Sequence, residues 1–328
     1  MQAYITNQIT ERLLSDNDFK TKVEKDKDIN YPHVTFNIDD ISAYIKFFNI
    51  LNEVYSTEEF IDRIICYRGM EDKSWKLEPS ILVNSLSSQE QLMYTEFEQL
   101  HPSEFTGIKS ALNKIGKMQH FGLPTRLLDF TKNPLVALFF ACNMSKKENL
   151  DKDARVVIHV SNNLDNELGE KICEHALYNI DYIKRINDFN MVYKFNQDFP
   201  IVTPLYITER EKLQQSVFLV FPSKLIQNEC FDGIKKIDMS FMESSFFSII
   251  IDSKNKKKIL DQLDSIGINK MVLFPELDYT GEYLKEKYKK YVNLMIAKYD
   301  EIIDLHKHDK DIVKEYNELK NMVLNKES

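Results

Sequence analysis

Apolar residues along this chain recur at two spacings. Together they predict an α+β protein with a mixed or antiparallel sheet core flanked by helices. Over 40–51, Ile41, Tyr44, Ile45 and Phe48 fall on one helical face. RIICYRGM (63–70) is an apolar, β-branched run stopped by Gly69 and reads as a buried strand. SSQEQLMYTEFEQL (87–100) reads as a helix opened by Ser with an acid three residues on. EFTGIKSALNKIGKMQHF (104–121) reads as one further helix, closed by Gly122 and Pro124. NPLVALFFACNMS (133–145) begins another, with Asn133 as cap and Pro134 at the first helical position. Being apolar on all sides, that helix has to be buried.

Strand character dominates afterwards: ARVVIHV (154–160), PIVTPLY (200–206), SVFLVF (216–221), IKKIDMS (234–240) and FFSIIID (246–252), with a helical insert near 165–195. KNKKKILDQLDSIGI is a surface helix turning Ile259, Leu260, Leu263 and Ile266 inward. Residues 1–20 have helical spacing, and the charge run TKVEKDKDIN links them to the rest. Residues 281–326 are long, charged and helical, with Leu284, Tyr288, Tyr291, Met295, Tyr299 and Ile302 in a stripe. The stripe either packs on the parent domain or forms a seam for homo-oligomers. The organisation that follows is a helical extension and linker at 1–37, a main domain at 38–280 and a helical extension at 281–328.

With 328 residues, the chain is long enough to bury a sizeable core. A net charge of −8 argues against a general affinity for nucleic acid. Cys66, Cys142, Cys173 and Cys230 sit in separate apolar stretches, and neither they nor the seven His fall at metal-ligand spacing. No apolar run is long enough to span a bilayer, and MQAYITNQITERLL is no signal peptide. The expectation is a soluble cytoplasmic protein without a metal site or a membrane partner.

Arg68 ends an apolar strand just before Gly69, where it can hold a phosphate or carboxylate bidentately or form a structural salt bridge. Gly69 lets a backbone or a ligand come close. His120 stands in a last helical turn, suited to an anion or to a terminal carbonyl. Arg126 and Asp129 either pair across one turn or face a ligand, and Thr125 and Thr131 either cap the next helix or face the same ligand. All four lie in the packed loop TRLLDFT, and buried polar groups need partners. Glu209, Arg210, Gln214 and Gln215 precede the strand SVFLVF, where the amides could read a ligand's amide or ribose hydroxyls. The alternative is a solvated helix end.

YRGM at 67–70, LEPSIL at 77–82, MQHFGLPTRLLDFTKNPLVALFFA at 118–141, ERxxxQQxxF at 209–218 and GINKMVLFPELD at 267–278 resemble the signature blocks of the FRG domain, a bacterial and phage family. Tyr67 stands where the family name has Phe, and Ser216 where Gly is expected. The resemblance implies a place among bacterial toxin and phage-defence proteins. The order Tyr67-Arg68-Gly69, then Asp129-Phe130-Thr131, then Gln214-Gln215 also resembles ADP-ribosyltransferases. That second likeness implies NAD as a substrate rather than a tightly bound cofactor, and a macromolecular acceptor. Arg68 would hold its phosphate or ribose, the Gly69 backbone its nicotinamide amide, and Thr131 its ribose. Gln215 or Glu209 would stand where the catalytic acid acts. Gln brings no negative charge to an oxocarbenium-like centre, so Glu209 or Asp129 would supply it. The competing reading is a module that binds a nucleotide or a regulatory protein without turnover.

Overall fold

In the computed structural model, residues 23–25, 34–55, 64–143, 149–161, 164–178, 199–206, 208–226, 229–234 and 246–325 are described. Among the described residues ten strands run in chain order: β1 (Val23–Lys25), β2 (Val34–Ile38), β3 (Ile64–Met70), β4 (Leu127–Thr131), β5 (Ala154–Ser161), β6 (Ile201–Val202), β7 (Ser216–Val220), β8 (Ser223–Ile226), β9 (Glu229–Ile234) and β10 (Phe246–Ile251). Eight of them form one sheet in the order β1-β2-β10-β5-β3-β4-β7-β6, while β8 and β9 pair separately. All neighbours in the large sheet are antiparallel except β2 and β10. The fold is therefore α+β with a mixed, largely antiparallel sheet.

The helices up to Asn269 are α1 (Ile41–Tyr55), α2 (Ser80–Val83), α3 (Glu90–Leu100), α4 (Pro102–Phe105), α5 (Ala111–His120), α6 (Pro134–Cys142), α7 (Asn166–Tyr178), α8 (Glu209–Leu213) and α9 (Ser253–Ser265). From Lys270 a second unit begins, holding α10 (Lys270–Leu273), α11 (Leu277–Leu305) and α12 (Lys310–Asn325).

Side-chain alternation divides the sheet's apolar residues between two cores. Leu127, Phe218 and Val220 join Tyr94, Leu112, Ile115 and Ile172 from α3, α5 and α7. Cys66, Met70, Leu128, Phe130, Val217 and Leu219 join Ile81 of α2. Burial pushes the Cys66, Cys142 and Cys173 thiols up, Cys142 to about 12, which suits their packing role. Asn133 accepts from Leu135 N at 3.0 Å and Val136 N at 3.4 Å and so caps α6 as expected.

Several elements differ from the sequence reading. TRLLDFT holds a sheet strand, β4, rather than a loop. The single helix expected over 104–121 is two, α4 and α5, because Gly107 takes φ +85° and Ser110 starts a new helix. The Glu170 carboxylate reaches that start from α7, accepting from Ser110 Oγ at 2.6 Å and Ala111 N at 2.5 Å. The strand at 200–206 shrinks to Ile201–Val202, since Pro204 offers no ladder donor. Ile266 lies past the end of α9 and is exposed. The linker's charge run holds β1, and β1 and β2 extend the sheet. The helix expected at 1–20, the insert beyond Tyr178 and all of the strand expected at 234–240 except Ile234, which ends β9, lie outside the described residues.

Candidate functional site

Two long antiparallel ladders meet at a seam that is almost unpaired. β3 pairs with β5 from Ile64↔Ser161 to Met70↔Arg155, and β4 pairs with β7 from Leu127↔Val220 to Thr131↔Ser216. Between β3 and β4 only Tyr67↔Thr131 is in register. Beyond that pair the strands part, and a cavity of about 320 Å³ is lined from both sides, by Arg68 and Gly69 of β3 and by Asp129 to Thr131 of β4. Its other walls include Gln119 and His120 of α5, Arg210, Glu211 and Gln214 around α8, and Trp75. The volume is at the lower end of the range of about 300–1,000 Å³ usual for ligand sites.

Arg68 spans the gap: its Nη1 donates to the Asp129 carbonyl oxygen at 2.7 Å, where a ladder bond would otherwise run. The Asp129 carboxylate is 4.0 Å away, and its Oδ1 accepts from Gln119 Nε2 at 2.6 Å. Gln119 Oε1 in turn accepts from the Thr125 hydroxyl, so a chain of polar contacts fixes the carboxylate from α5. The Arg68 side chain is 25% exposed, and its Nε is buried without an acceptor. Burial pulls its pKa below the ordinary value, with Asp129 opposing. The edge formed by Nε and Nη2, the one that grips an oxyanion with two parallel bonds, carries no partner among the described residues.

At α8 the structure separates the two glutamines. Thr131 Oγ1 donates to the Gln214 carbonyl at 2.6 Å, which ties β4 to the α8–β7 turn, and accepts from Asn133 N at 3.0 Å, so its one proton is spent and one acceptor position remains. Gln214 is buried and lines the cavity. Gln215 is exposed in the left-handed region, φ +48°, outside the cavity lining. Glu209 is also outside it, near Lys212 at 3.5 Å. A left-handed residue with a Cβ costs roughly 1 kcal/mol, which glycine avoids at the expense of a more flexible unfolded chain. Gln215→Gly is therefore expected to leave the chemical-denaturation midpoint unchanged or slightly raised. Gln215→Val should lower it.

Arg126 lies outside the cavity as well. Buried at 3% exposure, it donates from Nε to Glu90 Oε1 at 2.8 Å, from Nη2 to Glu90 Oε2, and from Nη1 to the Phe221 carbonyl at 3.1 Å. Tyr94 Oη adds a bond to Glu90 at 2.8 Å. Arg126 and Asp129 do not pair with each other, since β4 turns them toward different neighbours. Glu90 faces this arginine and caps nothing, whereas a capping box does form at Thr208 and Glu211. Tyr67 packs edge-on against Phe48 of α1, ring centroids 5.2 Å apart. Gly69 lies beneath α6, where a Cβ would meet the Ala137 carbonyl and stand 2.5 Å from Ala141 N. The closeness this glycine permits is therefore that of a helix backbone.

Gln119, Trp75 and Glu211 line the cavity without having been singled out. Gly116, Gln119 and His120, spaced by three and four, share one face of α5, a signal legible in the sequence. Trp75 offers no such signal. Its place is set by Arg155 Nη2, which donates to its carbonyl at 2.7 Å. Among the described residues no three His, Cys, Asp or Glu stand close enough to hold a metal ion, and no helix is long and apolar enough to cross a membrane.

The family model described as FRG domain matches residues 63–150, so the chain carries an FRG domain. That span holds Arg68, His120, Asp129 and Thr131, while Gln214 lies beyond it. No curated protein and no solved structure matches the chain.

Proposed function

We propose that the cavity between β3 and β4 binds a nucleotide, with NAD the leading candidate, and cleaves its nicotinamide–ribose bond, transferring ADP-ribose to a macromolecule or to water. The observation carrying this reading is the free Nε/Nη2 edge of Arg68 on the cavity wall, beside an exposed carboxylate fixed by Gln119. The arginine edge suits a phosphate, and Gln214 suits ribose hydroxyls or an amide. In the cleavage, the electron pair of the C1′–N bond leaves with nicotinamide and positive charge builds at C1′. An acceptor oxygen or nitrogen then adds there and releases its proton. Asp129 is the carboxylate assigned to stabilising that charge, because Glu209 and Gln215 lie outside the lining. The surrounding role suggested by the FRG resemblance is that of a toxin or phage-defence effector.

Nicotinamide release from NAD by the purified full chain tests the reading. Wild type should release it, Arg68→Ala should lose at least about a hundredfold, the scale of one removed charge-stabilising donor, and Arg68→Lys should recover little. No release from wild type, or equal release from Arg68→Ala, overturns it. The neutral Gln214 on the wall favours a second reading, nucleotide binding without turnover. A ligand at 100 times its Kd would then stabilise the fold by about 2.7 kcal/mol with no product formed.

A further inference from the structure

The second unit presents an apolar stripe that its own hairpin leaves bare. α12 covers one face of α11, where Tyr299 packs edge-on against Tyr316 with centroids 5.8 Å apart and Asp300 accepts from Lys320 at 2.5 Å. A neighbouring face repeats every seven residues, with Leu284, Tyr288, Tyr291, Met295, Ile302 and Leu305 at its core-type positions and only Lys298 polar. Tyr288 is 62%, Tyr291 52% and Met295 40% exposed. Three heptads of exposed aromatic and aliphatic side chains are the pattern of a helix built to pair.

Charge along α11 identifies the occupant. Its first half carries Lys285, Lys287, Lys289 and Lys290, all within 285–290, against Asp278, Glu282 and Glu286, whereas its second half carries Asp300, Glu301 and Asp304 against Lys298. A parallel copy would set lysines beside lysines. An antiparallel copy sets the lysine-rich half beside the acidic half, and a two-fold axis makes this happen twice.

We infer that α11 pairs antiparallel with α11 of a second copy of this chain. Heptad geometry then fixes one register. Met295 sits against the partner's Tyr291, Tyr288 against the aliphatic stem of the partner's Lys298, and Leu284 against the partner's Ile302. On the solvent edge, Lys287 meets the partner's Glu301, and Leu294, 54% exposed, lies beside its own copy at the axis.

The test uses the full chain, with sedimentation across a concentration series and oxidative cross-linking of introduced cysteines. Wild type should be a dimer. Leu294→Cys should cross-link to itself, well above the wild-type background from the native cysteines. Lys287→Cys and Glu301→Cys should not cross-link alone, since two copies of either position lie about 21 Å apart along the axis at 1.5 Å per residue, but should cross-link when mixed. Tyr291→Glu with Met295→Glu should give a monomer of unchanged helix content. A monomeric wild type, self-cross-linking of Lys287→Cys, or a glutamate variant that stays dimeric would each overturn the pairing.

Discussion

Glu90→Ala is expected to destabilise the fold by about 3–5 kcal/mol, the cost of leaving a buried charge without its partner. The guanidinium of Arg126 would lose both of its bonds to the Glu90 carboxylate, and the Tyr94 hydroxyl would lose its acceptor. Burial opposes the charged arginine while Glu90 and Tyr94 favour it, and the balance raises its pKa. Removing Glu90 takes away the main opposing attraction. Urea unfolding would show a lower midpoint with an unchanged slope. Arg126→Ala should cost a similar amount. Glu90→Leu combined with Arg126→Met should recover most of the loss, because an apolar pair of similar volume carries no desolvation penalty. If the double variant is no better than the singles, the cost comes from packing and the ion-pair account fails. Arg126 is outside the cavity, so ligand binding by the folded fraction of any of these variants should match wild type.

Gly69→Ala is the second large effect. The added methyl would land on the Ala137 carbonyl oxygen, 2.5 Å from Ala141 N and 2.9 Å from Phe140 Cβ. Two of those atoms belong to the backbone of α6, which cannot swing aside as a side chain can. Overpacking typically costs about 1–3 kcal/mol, and this contact places the substitution at or above the top of that range. Gly281→Ala provides the control, because nothing stands within 4 Å of a Cβ there and Gly281 lies inside α11. It should gain up to about 1 kcal/mol from helix propensity. Comparable midpoints for the two variants would exclude the steric explanation. Glycine at 69 would then owe its place to ligand approach instead.

Much of the fold is legible in the sequence because it depends on local rules. The all-apolar NPLVALFFAC is a buried helix with Asn133 and Pro134 where capping preferences put them. Ile64–Met70 and Ser216–Val220 are strands, as their β-branched runs indicate, the first burying Cys66, Tyr67 and Met70 and the second buried throughout. Where the reading departs from the structure, a distant partner intervenes. Glu90 has the spacing of a capping residue but faces Arg126, 36 positions away. Gln214 and Gln215 are equivalent as letters. The left-handed turn at Gln215 and the bond from Thr131 to the Gln214 carbonyl are what set one inward and the other outward.

The sequence by itself determined the elements, the polar residue types gathered around β3, β4 and α8, and the FRG signature, because periodicity, capping and motif order are properties of neighbours along the chain. Only the tertiary structure decided which of those polar residues share a space. Arg68, His120, Asp129, Thr131 and Gln214 line one cavity because β3 and β4 part after a single register pair. Arg126, from the same seven-residue stretch as Asp129 and Thr131, is drawn off to Glu90. A buried charge goes where its desolvation is compensated, and that partner is set by the packing of whole elements rather than by nearness in sequence.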